Sequence, residues 1–311
     1  MDRRTLLTSI GATLLASPLR AQEAPSWSSP VLDMHWHMRR TPEANLAHMD
    51  GCGVRAANLL TGGPNALEMV SVLQAQNPHR FPSWFASADI TRPEAESVLT
   101  QAVKNGAGGF GEIKFHVAAD GPELRRMYAL AADLNVPIVV HFQEVGHTPT
   151  EGTFATGWKK FAAILKEYPR TKFIGHADAF WANISADYAE ADAYPTGTVV
   201  KGGVTDRLLG DYPNLFGDMS ANSGNNGLSR DPDFTREFLR RHQDKLMFGS
   251  DCNCTDGNGG GAAQSSPSVA PRMRGKCVAR ETLKVLTAST QPSVFRKLVW
   301  DNAHRLLKLP A

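Results

Sequence analysis

The chain has 311 residues, 42% hydrophobic and 21% charged, with 33 basic against 31 acidic side chains and a formal net charge of +2. That length buries a large core and admits either two domains or one α/β barrel of roughly 250 residues. The near-balanced, scattered charge offers no basic face to nucleic acid or an anionic membrane surface, so the expected partner is a small molecule.

The N-terminus, MDRRTLLTSIGATLLASPLRAQ, differs from the rest: Arg3 and Arg4 precede a short apolar run to about Ala16 and a cleavage-like region near Ala21. The run falls short of the about 20 residues that span a bilayer, so residues 1–24 predict a removable signal peptide rather than a membrane anchor. The arginine pair followed by Leu6 and Leu7 resembles a twin-arginine signal, which would make the mature protein periplasmic or secreted; a disordered basic N-terminus is the bland alternative. Cys52, Cys252, Cys254 and Cys277 are even in number but too sparse for a disulfide framework, and their pairing stays open.

From residue 29 onward, apolar strand-like runs alternate with helical patterns. The runs are VLDMH (31–35), VRAANLL (54–60), FPSWFASADI (81–90), GGFGEIKFH (108–116), VPIVVHF (136–142), TKFIGHA (171–177), LFGDMSA (215–221) and KLMFGSD (245–251). Between them, TPEANLAHMDGCG has Thr41 as N-cap with Pro42 as its first helical residue, and DGPELRRMYALAADLN has Pro122 near its start. Strands separated by single helices imply right-handed parallel β-α-β units. Eight in succession predict a single (β/α)8 TIM-like barrel over residues 29–308, closed by a C-terminal helix in PSVFRKLVWDNAHRLLKL. Two longer connections, about 182–212 and 256–271, follow strands and so overhang the C-terminal face, as lids or as plain surface excursions.

Polar groups recur at the ends of these strands. His35 and His37 end the first, where alternation puts both on one face; Glu112 and Lys114 lie late in the fourth; His141, His176 and Asp251 end the fifth, sixth and eighth. A lone His-x-His is as readily a strand end as a site, but charged and imidazole groups ending five strands on one rim are not what a barrel core requires. Imidazoles with a carboxylate and an open position suit a catalytic divalent ion, Zn²⁺ above all. Asp251 then serves as ligand and proton carrier, while His176 is a ligand or acts on the attacking water. Arg39, just past the pair, reads as a clamp for a substrate carboxylate or as a surface arginine. His116 and His147 fall in rim loops; His48, His79, His242 and His304 fall in helices or strand starts and read as structural. Asp33 either supports the ligands or bonds within the barrel floor.

The ordered set of His35-x-His37, His141 in IVVHF, His176 in FIGHAD, Asp251 in MFGSD and the closing WDNAHRLLKL resembles the amidohydrolase superfamily, specifically amidohydrolase-related family 2. That family includes metal-dependent hydrolases and aminocarboxymuconate-semialdehyde-type decarboxylases. The resemblance implies a distorted TIM barrel with one or two divalent ions at its strand ends. In mononuclear members His35, His37, His141 and Asp251 would be the ligands and His176 catalytic. In binuclear members a carboxylate on the fourth strand bridges the ions; Glu112 in GEIKFH resembles it, and a carboxylated Lys114 is the alternative. If Glu112 bridges, His35, His37 and Asp251 would hold one ion and His141 and His176 the other. A Glu112–Lys114 ion pair that binds nothing is the third reading.

Three functions follow as expectations. The first is hydrolysis of an ester, lactone or amide of a small organic substrate. The second is non-hydrolytic decarboxylation of an aromatic or enol carboxylic acid. The third is a binding or metal-storage protein without catalysis. Substrate identity and oligomeric state are left open, a homo-oligomer included.

Overall fold

The computed structural model describes residues 25–62, 65–147, 150–152, 154–264 and 271–310. The predicted signal segment, 1–24, lies outside the described residues, as do residues 265–270 of the Gly/Ser-rich stretch. No helix among the described residues is long and apolar enough to cross a membrane.

Eight strands form one parallel sheet in sequence order: β1 (Leu32–His37), β2 (Ala56–Leu60), β3 (Ser83–Ala86), β4 (Gly109–Ile113), β5 (Pro137–His141), β6 (Lys172–His176), β7 (Leu215–Asp218) and β8 (Leu246–Met247). The sheet curls back on itself: Met34 N–H donates to the Phe248 carbonyl at 2.9 Å and Asp251 N–H to the His35 carbonyl at 3.0 Å. The second of these bonds ties one rim residue directly to another. The (β/α)8 barrel read from the alternating runs is therefore the fold.

The helices are α1 (Pro42–Cys52), α2 (Ala66–Gln76), α3 (Ala95–Lys104), α4 (Pro122–Asp133), α5 (Ala162–Glu167), α6 (Asp178–Ala182), α7 (Val204–Asp211), α8 (Ala221–Ser229), α9 (Pro232–Arg241), α10 (Val278–Ser289), α11 (Pro292–Arg296) and α12 (Asn302–Leu306). Their starts follow local chemistry. Thr41 Oγ1 accepts from Ala44 N–H at 3.2 Å ahead of Pro42, and Asp231 caps α9 through Phe234 N–H at 3.0 Å. The C-terminal helix is divided, with a π turn at Lys297–Asp301 between α11 and α12.

Several strands are shorter than the apolar runs that announce them. The run 81–90 pairs only over Ser83–Ala86 and the run 245–251 only over Leu246–Met247, because the chain then leaves the ladder to cross the rim. Two helices, α6 and α7, occupy the long connection after β6, and two more, α8 and α9, fill the step from β7 to β8. Beneath the rim, alternation on β5 and β6 puts Val139 and Ile174 on the faces that carry His141 and His176. Both belong to a compact apolar cluster with Leu60, Phe85 and Met247, joined by Ala303 and Leu306 of α12. This packing is the floor on which the polar rim stands.

Candidate metal centre

The structure brings His35, His37, Glu112, His141, His176 and Asp251 together, with Glu112 at the middle. Glu112 Oε2 faces His35 Nε2 at 3.7 Å and His37 Nε2 at 3.6 Å. Its other oxygen, Oε1, faces His176 Nε2 at 3.2 Å and touches His141 Nδ1. Asp251 spans the two halves, with Oδ1 3.4 Å from His37 Nε2 and Oδ2 3.9 Å from His176 Nε2. His37 and Asp251 are the open members, their side chains 46% and 29% exposed. The centre is closed below and accessible above.

Local structure fixes this arrangement. Gly111 adopts φ 146°, and a Cβ there would stand 2.7 Å from Val139 Cβ, so only glycine lets β4 approach β5 and carry Glu112 into the centre. The register of β4 against β5 shifts between Phe110 and Ile113, and the strand ends there, one residue before Lys114. Lys114 pairs with Glu151 at 3.4 Å and sits over the Phe154 ring at 5.4 Å. No Glu112–Lys114 ion pair occurs among the ion pairs of the described residues. Three non-glycine residues at the rim, Ala177, Ala221 and Asp251, have left-handed backbones with φ of 78°, 63° and 44°. Strain of this kind collects where a chain must turn a functional group to a set position.

A set of supporting bonds decides which nitrogen each ring presents. His35 Nδ1 lies 2.6 Å from Asp218 Oδ2, so Asp218 holds the Nδ1 proton and Nε2 faces inward. Gln143 Oε1 accepts from His141 Nε2 at 2.7 Å, which leaves Nδ1 to face Glu112. His176 Nδ1 meets Ser220 Oγ at 2.8 Å. Asp33 Oδ1 accepts the backbone N–H groups of His35 and Ser250, each at 2.9 Å, joining β1 to the end of β8. Asp218 is absent from the strand-end set read from sequence, although LFGDMSA ends its strand on it much as the other runs end on their polar groups.

These residues fit divalent ions. His35 Nε2 and His176 Nε2 are fully buried and have no hydrogen-bond partner, yet both aim at a carboxylate. Burial pushes His35 down, but Asp218 overcomes it and holds the ring well above the usual imidazole range, so these nitrogens call for a cation, a proton or a metal ion, between themselves and Glu112. Burial pushes the Glu112 carboxyl up, but His141 and His176 overcome it and hold the group well below the usual carboxylate range. Burial, then the neighbouring His35, holds His176 below the usual imidazole range, as a neutral ligand needs. Beside this set lies a cavity of about 190 Å³ lined by Lys114, His147, Tyr194, Asn222 and Asn253 among others. Arg39 is engaged elsewhere: it stacks on Trp36 at 4.2 Å and donates to the carbonyls of His37, Cys252 and Cys254. His147, expected as a loop histidine, bonds Asp178 at 3.1 Å, and His116 stacks on Phe154 at 3.8 Å.

The amidohydrolase family model matches residues 33–309. The chain belongs to the amidohydrolase family. Three solved structures resemble this amidohydrolase in fold. One is a probable 2-pyrone-4,6-dicarboxylic acid hydrolase from Acinetobacter baumannii with citric acid bound, at 12% identity, 90% and 99% coverage of this chain and that one, and TM-score 0.58. Another is 5-carboxyvanillate decarboxylase from Novosphingobium aromaticivorans complexed with manganese and 4-hydroxy-3-methoxy-5-nitrobenzoic acid, at 12% identity, 92% and 98% coverage and TM-score 0.55. The third is dihydroorotase from Campylobacter jejuni, at 17% identity, 91% and 84% coverage and TM-score 0.54. No curated protein matches the chain in sequence. Hydrolases and decarboxylases thus share this amidohydrolase barrel, and membership indicates a metal-dependent enzyme without choosing between the two reactions.

Proposed function

We propose that this amidohydrolase is a binuclear metal-dependent hydrolase of a small ester, lactone or amide. The observation that carries the proposal is the splay of Glu112, with Oε2 toward His35 and His37 and Oε1 toward His141 and His176. One carboxylate serving two imidazole pairs is the arrangement of a bridging ligand. His35, His37 and Asp251 would hold one ion, and His141 and His176 the other. Imidazole and carboxylate donors favour Zn²⁺, and ions held there would supply Lewis acidity toward a carbonyl and bring the pKa of water near neutrality.

The remaining steps belong to the chain. Asp251, half-open beside His37 and His176, takes the proton from the attacking water and passes it to the leaving group. His176 keeps its Nε2 directed at the reacting centre because Ser220 engages its Nδ1. Lys114, 38% exposed at the cavity edge, binds a polar or anionic part of the substrate. The supporting bonds of Asp218 and Gln143 stop the rings from rotating as charge develops.

Turnover in heavy-oxygen water separates this reading from decarboxylation. Hydrolysis of a panel of lactones, esters and amides incorporates one solvent oxygen into the product carboxylate. Release of CO2 from aromatic or enol acids, with solvent hydrogen but no solvent oxygen in the product, would overturn the proposal. The secretory address read from residues 1–24 is a separate proposal, tested by whether the full chain reaches the periplasm with its N-terminus removed.

A further inference from the structure

One cluster of ligating side chains takes no part in the chemistry above. His48 of α1, Cys252 and Cys254 just past β8, and Cys277 immediately before α10 bring one nitrogen or sulfur each within 4.8 Å of one another. All four residues are buried, none more than 5% exposed, and the cysteines are free thiols. His48 reads from sequence as a plain structural histidine, and the cysteines as an open question of pairing. The fold gives them a common centre.

The spacing is that of a coordination shell. Donors on a tetrahedron with metal–sulfur bonds of about 2.3 Å stand roughly 3.8 Å apart. Cys252 Sγ is 3.4 Å from Cys254 Sγ and 3.7 Å from Cys277 Sγ, and His48 Nε2 is 3.8 Å from Cys277 Sγ. Thiols are weak donors and weak acceptors, so contacts among themselves return little for burying them together.

We propose that His48, Cys252, Cys254 and Cys277 bind a structural divalent ion of thiophilic character, Zn²⁺ above all, at a site separate from the rim centre. Four protein ligands close the shell and leave no open position, as a structural site requires. Binding turns three thiols into thiolates with release of three protons, so the filled site carries one net negative charge. Arg39 answers that charge. Its Nη2 donates to the carbonyls of Cys252 at 2.7 Å and Cys254 at 3.3 Å, and its guanidinium lies over Trp36, whose ring meets His48 edge-on at 4.9 Å.

The site clasps α1, the segment after β8 and the start of α10. The enclosed loop lies against α1: Gly257 has φ 69°, and a Cβ there would stand 2.4 Å from Cys52 N. Cys252 follows Asp251 directly, and Asn253 lines the rim cavity. The clasp therefore acts as a positioning device that holds the β8 exit where Asp251 can face His37 and His176.

Full-length protein loaded with cobalt tests the proposal, because thiolate ligands give an intense near-ultraviolet sulfur-to-cobalt band and no sulfur belongs to the rim set. The band is expected in the wild type and in Glu112→Gln. It is expected to be absent in Cys254→Ser, which also holds one ion fewer per chain. All four thiols should titrate in denaturant without reductant. A wild-type spectrum without the band, or a band that survives Cys254→Ser, overturns the site. A count of two thiols also overturns it and makes the cluster a disulfide. If Cys254→Ser does not fold, the wild-type spectrum and thiol count decide. A protein that shows the band but hydrolyses nothing contradicts the proposed function and leaves this site standing.

Discussion

Asp251 meets several demands at once. Its backbone is left-handed at φ 44°, its N–H is held by the His35 carbonyl at 3.0 Å, and its carboxylate spans His37 and His176. Asp251→Asn keeps the shape and removes the proton acceptor, so turnover should fall by at least about 100-fold while the thermal melt stays within a few degrees of wild type; undiminished turnover would remove Asp251 from the chemistry. Asp218 acts one bond further out, by holding the His35 Nδ1 proton. Asp218→Ala should weaken metal affinity or activity by about 10- to 100-fold, read by titration of the apo-protein with Zn²⁺. At this scale the sequence was legible where polar residues closed apolar runs. His35 and His37 follow from alternation and His141, His176 and Asp251 from their places at the ends of apolar runs, whereas Asp218 lies inside the run LFGDMSA and ends its strand only in the structure. The engagement of Arg39 with distant carbonyls is a tertiary contact that no local pattern carries.

Helices α7 and α9 are joined by a charged contact that makes the fold sensitive to acid. Asp206 accepts from His242 at 2.6 Å and from Arg241 at 2.8 Å. Burial works against its ionisation, but these two partners overcome burial and hold the carboxyl below its usual range. A carboxyl whose folded pKa is depressed stabilises the fold above the unfolded pKa, and that contribution is lost as pH falls through the folded value. Melting temperature should therefore drop as pH falls below about 4, and Asp206→Asn should flatten that drop while lowering stability at neutral pH. An unchanged acid slope in the variant would assign the effect to other carboxylates. Among the elements, strand order was legible because eight apolar runs alternate with capped helices. Helix α8 was not, because ANSGNNGLS is rich in glycine and asparagine and becomes helical through burial against α6 and α10 rather than by propensity. Strand ends differ from the apolar runs for a related reason: past Ala86 and Met247 the chain turns to Ser87-Ala88-Asp89 and Gly249-Ser250-Asp251, polar or small residues that bend over the rim.

The molecule as a whole is an eight-stranded barrel in which β1, β4, β5, β6 and the exit of β8 deliver side chains to one rim, with Glu112 at the centre of the delivered set. Val139 and Ile174 support the floor, Asp33 and the bonds from Met34 and Asp251 close β1 onto the end of β8, and the thiol cluster fastens the loop beyond it. The bridged pair of ions is the central claim, and anomalous X-ray diffraction from crystals of the zinc-loaded protein tests it most directly. Two peaks are expected on either side of the Glu112 carboxylate, about 3.5–4 Å apart, one against His35, His37 and Asp251 and the other against His141 and His176. The thiol site, if filled, adds a peak well resolved from these. A single rim peak ligated by His35, His37, His141 and Asp251, with Glu112 turned aside and His176 unbound, would contradict the bridged centre.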